Sequence, residues 1–130
     1  MADVAKGVVV TTGNEAYVAE FLYPLHKSCR DTLGGWIETV HPRGLERPYM
    51  MLVNEEGLIL GLPVNPVGSL LYGTLEHGYP IVGNIIFLKD GYRDGEPDIV
   101  GLDDGDVENL LGQLLALGVT LKEAGHEAQS

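Results

Sequence analysis

The sequence is poor in cysteine and in positive charge. Its 130 residues include one Cys and eight Lys or Arg, against nineteen Asp or Glu. Each scarcity excludes a class of protein. A lone Cys29 forms no intrachain disulfide, which fits a reducing cytoplasm better than a secreted scaffold. With a formal charge of −11, the chain is repelled by nucleic-acid phosphates, so no direct DNA or RNA binding is expected. No apolar run reaches the roughly 18–20 residues that cross a bilayer. The N-terminal MADVAKGVVVTTGNEAYV has too short an apolar patch for a signal peptide. A cytoplasmic protein without membrane contact is the expectation.

What is present suits a globular chain: 45% hydrophobic and 21% charged residues, enough for a modest core. The length fits one domain over 1–130, with an ordered core over about 6–118 and a flexible tail over 119–130. Eighteen glycines, about twice the usual share, imply many tight turns.

Lys6–Thr12 is a β-branched run closed by Gly13-Asn14, and reads as a first strand and turn. Ala16–Phe21 suits a strand or a helix start. Leu22, Leu25, Cys29 and Leu33 form a helical stripe ended by Gly34-Gly35. Trp36–Val40 and Tyr49–Asn54 read as strands joined by a loop with two prolines and Arg43 and Arg47. Asn54–Gly57 reads as a turn into a third strand, Leu58–Leu60, giving an antiparallel meander. Asn65-Pro66 is a helix start, with Val67, Leu70, Leu71 and Leu75 on one face and Gly78 after its end. Ile81–Leu88 reads as a strand interrupted at Gly83-Asn84. A last helix starts at Asp103, boxed by Asp106 and stapled from Leu102 to Val107. Its buried stripe is Val107, Leu110, Leu111 and Leu114, and Gly118 stops it. The fold class is α+β: a mixed, mainly antiparallel sheet of five or six strands with three helices.

Four short motifs occur in order: Gly-Gly-Trp-Ile-Glu (Gly34–Glu38), Asn-Glu-Glu-Gly (Asn54–Gly57), Gly-Leu-Pro-Val-Asn (Gly61–Asn65) and Ile-Val-Gly-Asn (Ile81–Asn84). With the closing segment LDDGDVENLL, this set resembles the domain-of-unknown-function 3846 family from about Val8 to Leu114. The resemblance implies a small protein of a bacteriophage, plasmid or integrated mobile element, with no settled catalytic activity. The acidic stretch Asp90–Asp98 and the HPRGLERP loop depart from the family pattern.

Catalytic signals are weak. His26 and Cys29 are the one nucleophile–base pairing at short range, but Cys29 falls on an apolar stripe, where free cysteines are usually core. His26, His41, His77 and His126 share no metal-ligand spacing, and Asp90–Asp106 lacks the pattern of a calcium loop. Nothing pairs Glu38, Glu55, Glu56 or Glu76 for acid–base work, and glycine-rich phosphate loops and nucleophile elbows are missing. Neither metal nor cofactor is expected.

Two groups of residues remain as binding candidates. Glu38, Asn54, Asn65 and Asn84 fall at strand ends, with Trp36, Tyr72 and Tyr79 nearby, and would suit a small polar or aromatic ligand if they met at one edge. From Asp90 to Glu108 stand eight carboxylates and one Arg, of which Asp90, Asp94, Glu96, Asp98 and Asp104 are the partner-binding candidates. The expectation is therefore a non-enzymatic accessory protein of a phage or mobile element that binds a host macromolecule, such as a defence component. The alternatives are a module for a nucleotide-like ligand and an acidic mimic of nucleic acid. A homodimer would form through Tyr49-Met50-Met51 or a sheet edge.

Overall fold

The computed structural model describes residues 4–45, 48–74 and 78–122. Leu75, Glu76, His77, Arg47, His126 and the tail beyond Lys122 lie outside the described residues. The elements run β1 (Val4–Val10), β2 (Glu15–Leu22), α1 (Leu25–Leu33), β3 (Ile37–Val40), β4 (Tyr49–Asn54), α2 (Gly57–Leu60), α3 (Pro66–Tyr72), β5 (Ile85–Arg93), β6 (Glu96–Val100), α4 (Asp104–Ala116) and β7 (Thr120–Leu121). The strands form one sheet in the order β3-β4-β5-β1-β2-β7, with β6 added to β5. All pairings are antiparallel except that of β2 with β7. The fold is α+β, as the sequence pattern predicts.

Helices cover both sheet faces, which explains why β4 is buried along its whole length and reads as an unbroken apolar run. On one face Cys29, Leu25 and Leu33 of α1 pack on Val9, Met50, Leu52, Ile86 and Leu88. On the other, Val67 and Leu71 of α3 with Leu110 and Leu114 of α4 pack on Val8, Met51, Val53, Ile85 and Phe87. Truncating a large, fully enclosed side chain such as Phe87 removes about 3–5 kcal/mol of stability. Tyr49, Met50 and Met51 are part of this interior and offer no outer surface.

The local signals act as read at most helix ends. Gly34 closes α1 in the left-handed conformation, its N–H donating to Arg30 O. The Asn65 side chain caps α3 by accepting from Gly68 N–H, with Pro66 behind it. Asp103 and Asp106 form the reciprocal capping box of α4.

Five readings change. Leu22 does not begin the helical stripe but ends β2, more than half exposed, and α1 starts at Leu25. Leu58–Leu60 is not the third strand of a meander but the short helix α2, closed by Gly61 in the left-handed region, so β5 takes that place beside β4. Leu70 is 58% exposed rather than on the buried face of α3, and that helix ends at Tyr72 with Gly73 as its left-handed cap, before Gly78. The interrupted strand begins after its break, at Ile85, while Val82 makes an isolated bridge to Val64. Finally, the acidic stretch is a hairpin: β5 and β6 turn at Asp94-Gly95, both at positive φ (54° and 80°). Asp-Gly is well suited to the two-residue turn that matches strand twist. These changes give seven strands and four helices among the described residues.

Candidate functional site

The end of the sheet at β3 is where polar groups, cavities and open backbone meet. Among the described residues β3 pairs only with β4, so its other flank is free of a neighbouring strand in the sheet order. In an antiparallel pair, successive residues alternately turn their backbone groups towards the partner and away from it. Glu55 N–H donates to Trp36 O at 2.8 Å, which sets Trp36, Glu38 and Val40 to face β4. The same alternation follows on the far side of β4, where Asp90 N–H donates to Pro48 O at 2.9 Å. Ile37 and Thr39 therefore direct two N–H and two C=O groups outward from the sheet.

Side chains of β3 alternate between the sheet faces, and a cavity lies on each. On the α1 face a cavity of about 700 Å³ is floored by Leu25, Ile37, Leu52 and Ile99. Its rim brings in His26, Thr39, Arg93, Asp94 and Asp98. The Arg93 guanidinium lies over the Tyr23 ring at 3.6 Å, so one wall of this cavity already carries a cation on an aromatic face. A shallower hollow continues it past Asp90, Tyr92 and Pro97. On the opposite face, a cavity of about 240 Å³ is lined by Glu38, Glu55, Tyr72 and Tyr79 over Val40, Val53 and Ile81.

Of the binding residues expected from sequence, Glu38, Asn54, Tyr72 and Tyr79 line this smaller cavity together. The other three do not line it. Asn65 is fully buried, donating to Val10 O and Gly83 O, while Asn84 Oδ1 accepts from Thr12 N–H near the end of β1. Trp36 stacks under Arg30 at 3.9 Å. Even Asn54 has its amide engaged, donating to Leu33 O and accepting from Glu56 N–H. Among the described lining residues, the charged groups exposed at the smaller cavity are thus the Glu38 and Glu55 carboxylates, with Tyr72 and Tyr79 on the lining beside them.

The acidic residues divide between the two faces. Asp90, Asp94 and Asp98 border the α1-face cavity or its extension, whereas Glu96 is exposed on β6. Asp104 is paired with Lys6, and Asp106 with Lys89, at the start of α4. Burial pushes the Asp106 carboxyl up, but the Lys89 ammonium and the Asp103 N–H outweigh it and hold the group below the usual range. Hydrogen bonding to Lys6 lowers Asp104 in the same direction. These two carboxylates support the fold of α4.

Cys29 is fully enclosed under α1, and burial pushes its thiol up to about 11 against an opposing bond from Ser28. At neutral pH it is a thiol, not a thiolate nucleophile. His26 is exposed at the cavity rim. Among the described residues no three His, Cys, Asp or Glu side chains gather as a metal site, and no helix is long and apolar enough to cross a membrane.

Sequence reasoning missed the apolar cluster beside the smaller cavity. Leu58, Ile59 and Leu60 of α2 are 55%, 84% and 58% exposed, and Val64 and Tyr79 are also more than half exposed. Leu58 and Tyr79 line the cavity itself. The signal was three consecutive aliphatics between Gly57 and Gly61, too short to bury any one face.

No curated protein and no solved structure matches the chain. A family model does, over residues 5–115, and by that match the chain belongs to the DUF3846 family, a domain of unknown function.

Proposed function

We propose that this chain is a non-enzymatic binding module that accepts an extended segment of a partner protein along β3. The biological setting proposed is that of an accessory protein of a phage or mobile element, acting on a host protein in the cytoplasm. The observation that supports this reading is the outward-facing backbone of Ile37 and Thr39, set between two cavities that lie on opposite faces of the same strand. An added strand would take its main-chain hydrogen bonds from that edge and place alternate side chains in the two cavities. A thiol held protonated by burial and carboxylates spread around open hollows favour recognition over bond-breaking.

Thr39→Pro is the test. Proline removes the outward N–H without removing a β3–β4 bond, and is tolerated on edge strands for that reason. Peptides selected from a displayed random library against the intact chain should bind Thr39→Pro at least tenfold more weakly, at nearly unchanged melting temperature. Equal affinity for both proteins, or a library that yields no binders, overturns the reading.

A further inference from the structure

We infer that the smaller cavity is a site for a cationic side chain, an arginine guanidinium of the partner protein, and that the larger cavity takes an apolar one. This rests on the strand-addition reading for how the partner lies, but not for the chemistry of the cavity. Glu38 and Glu55 are the charged groups among its described lining residues, and both are negative. Tyr79, more than half exposed, supplies an aromatic face with Tyr72 beside it on the lining, and Val40 and Val53 an apolar floor. A guanidinium satisfies all three surfaces at once. Its plane stacks on tyrosine, its N–H fork meets carboxylates, and its aliphatic stem lies on the floor. A second copy of this chain fits poorly, because a two-fold contact would bring like carboxylates together on a strongly acidic molecule.

The opposite cavity has the contrary character. Its floor of Leu25, Ile37, Leu52 and Ile99 is apolar, and Arg93 already stands on its wall. Asp94 and Asp98 stand with Arg93 at the rim, so charge does not select the occupant there, whereas an aliphatic side chain would cover the floor. Residues two apart on an added strand share a face, roughly 6–7 Å apart. The partner segment is accordingly one in which arginine alternates with Val, Ile or Leu, its basic face turned to Glu38.

Two probes test the cavity and the strand separately. N-acetyl-arginine N-methylamide, titrated into the intact labelled chain, should give saturable NMR shifts at the Tyr72 and Tyr79 rings and the Val53 and Ile81 methyls. The neutral citrulline analogue should bind at least tenfold more weakly, and Glu38→Gln with Glu55→Gln should abolish the arginine response. No saturable shift, or equal shifts from the two analogues, overturns the inference. The second probe is the heptapeptide Val-Arg-Val-Arg-Val-Arg-Val, capped at both ends. Binding weakened tenfold or more by both Thr39→Pro and Glu38→Gln supports the cavity and the strand together. If Thr39→Pro weakens it and Glu38→Gln does not, the cavity assignment falls and strand addition stands. The reverse pattern removes strand addition and leaves the arginine site.

Discussion

At the junction of β1, α3 and β5, Asn65 makes three hydrogen bonds inside the protein, to Val10 O, Gly83 O and Gly68 N–H. At the β3 edge, Glu38 and Glu55 border a cavity open to solvent and support no described backbone group through their carboxylates. Both sites set polar side chains against apolar residues. The difference is in what each polar group touches. A polar group whose bonds end on buried backbone serves the fold, and one that ends at a cavity mouth is free to serve a partner. Removing the first should therefore cost stability and removing the second should not.

The largest effect belongs to Asn65→Ala. It removes a helix cap and leaves two buried carbonyls without their donor, and should lower unfolding free energy by about 2–4 kcal/mol. Urea denaturation read by circular dichroism measures it. Asn65→Asp sharpens the point, because aspartate keeps the cap acceptor but cannot donate to Val10 O or Gly83 O. It should recover only part of the loss; full recovery would mean that the two carbonyls do not need a donor.

This asymmetry also explains what could be read from the sequence. Asn65-Pro66 and Asp103-x-x-Asp106 announce helix starts because capping is a local bond between residues three apart, and both formed as read. Of the stripe Leu22, Leu25, Cys29 and Leu33, the last three are buried on α1 because burial repeats at helical spacing, whereas Leu22 belongs to the end of β2. Leu58–Leu60 was misread because an aliphatic triplet fits either state, and α2 turns none of those three side chains inward. The Asp94-Gly95 hairpin was hidden by its acidity, although Asp-Gly is a strong turn signal. For the site, Glu38 and Asn54 could be grouped as ends of paired strands, but the register sets Asn54 opposite Ile37, on the other face from Glu38, where its amide donates to Leu33 O. Bringing Tyr72 and Tyr79 to the same cavity requires the packing of α3 on the sheet, which no local pattern states. The three asparagines looked alike in sequence because an amide suits both a cap and a ligand contact.

An intermediate effect is expected at the start of α4, where Lys89 meets Asp106. The pair is partly exposed, so solvent screening limits it, and Lys89→Met should cost about 0.5–1 kcal/mol near neutral pH. The pH dependence has a definite sign. Asp106 is held below its ordinary value of 3.8, so the contribution is complete above that value and is lost as pH falls through the lowered one. The gap between wild type and Lys89→Met should accordingly narrow below about pH 4. At the alkaline end, Lys89 is raised above 10.5, and its contribution is lost only as pH rises through that raised value. Denaturation curves at a series of pH values measure both limbs, and a gap that widens on acidification contradicts the pairing.

The smallest expected change in stability is at Glu38, and its smallness is what gives it weight. Glu38 is exposed on an edge strand, and its side chain supports no described backbone group. Glu38→Gln keeps the shape and removes one negative charge from a molecule that carries a net −11. Self-repulsion falls slightly, so the unfolding free energy should stay within about 0.5 kcal/mol of wild type. A loss of 2 kcal/mol or more in urea denaturation would place Glu38 beside Asn65 as a fold-supporting residue and remove the distinction between the two regions. An unchanged midpoint with a lost arginine response would instead assign the carboxylate to recognition. The β3 edge would then be a surface on which folding leaves negative charge unused, over an apolar floor, where a basic strand has both its backbone and its side chains to satisfy.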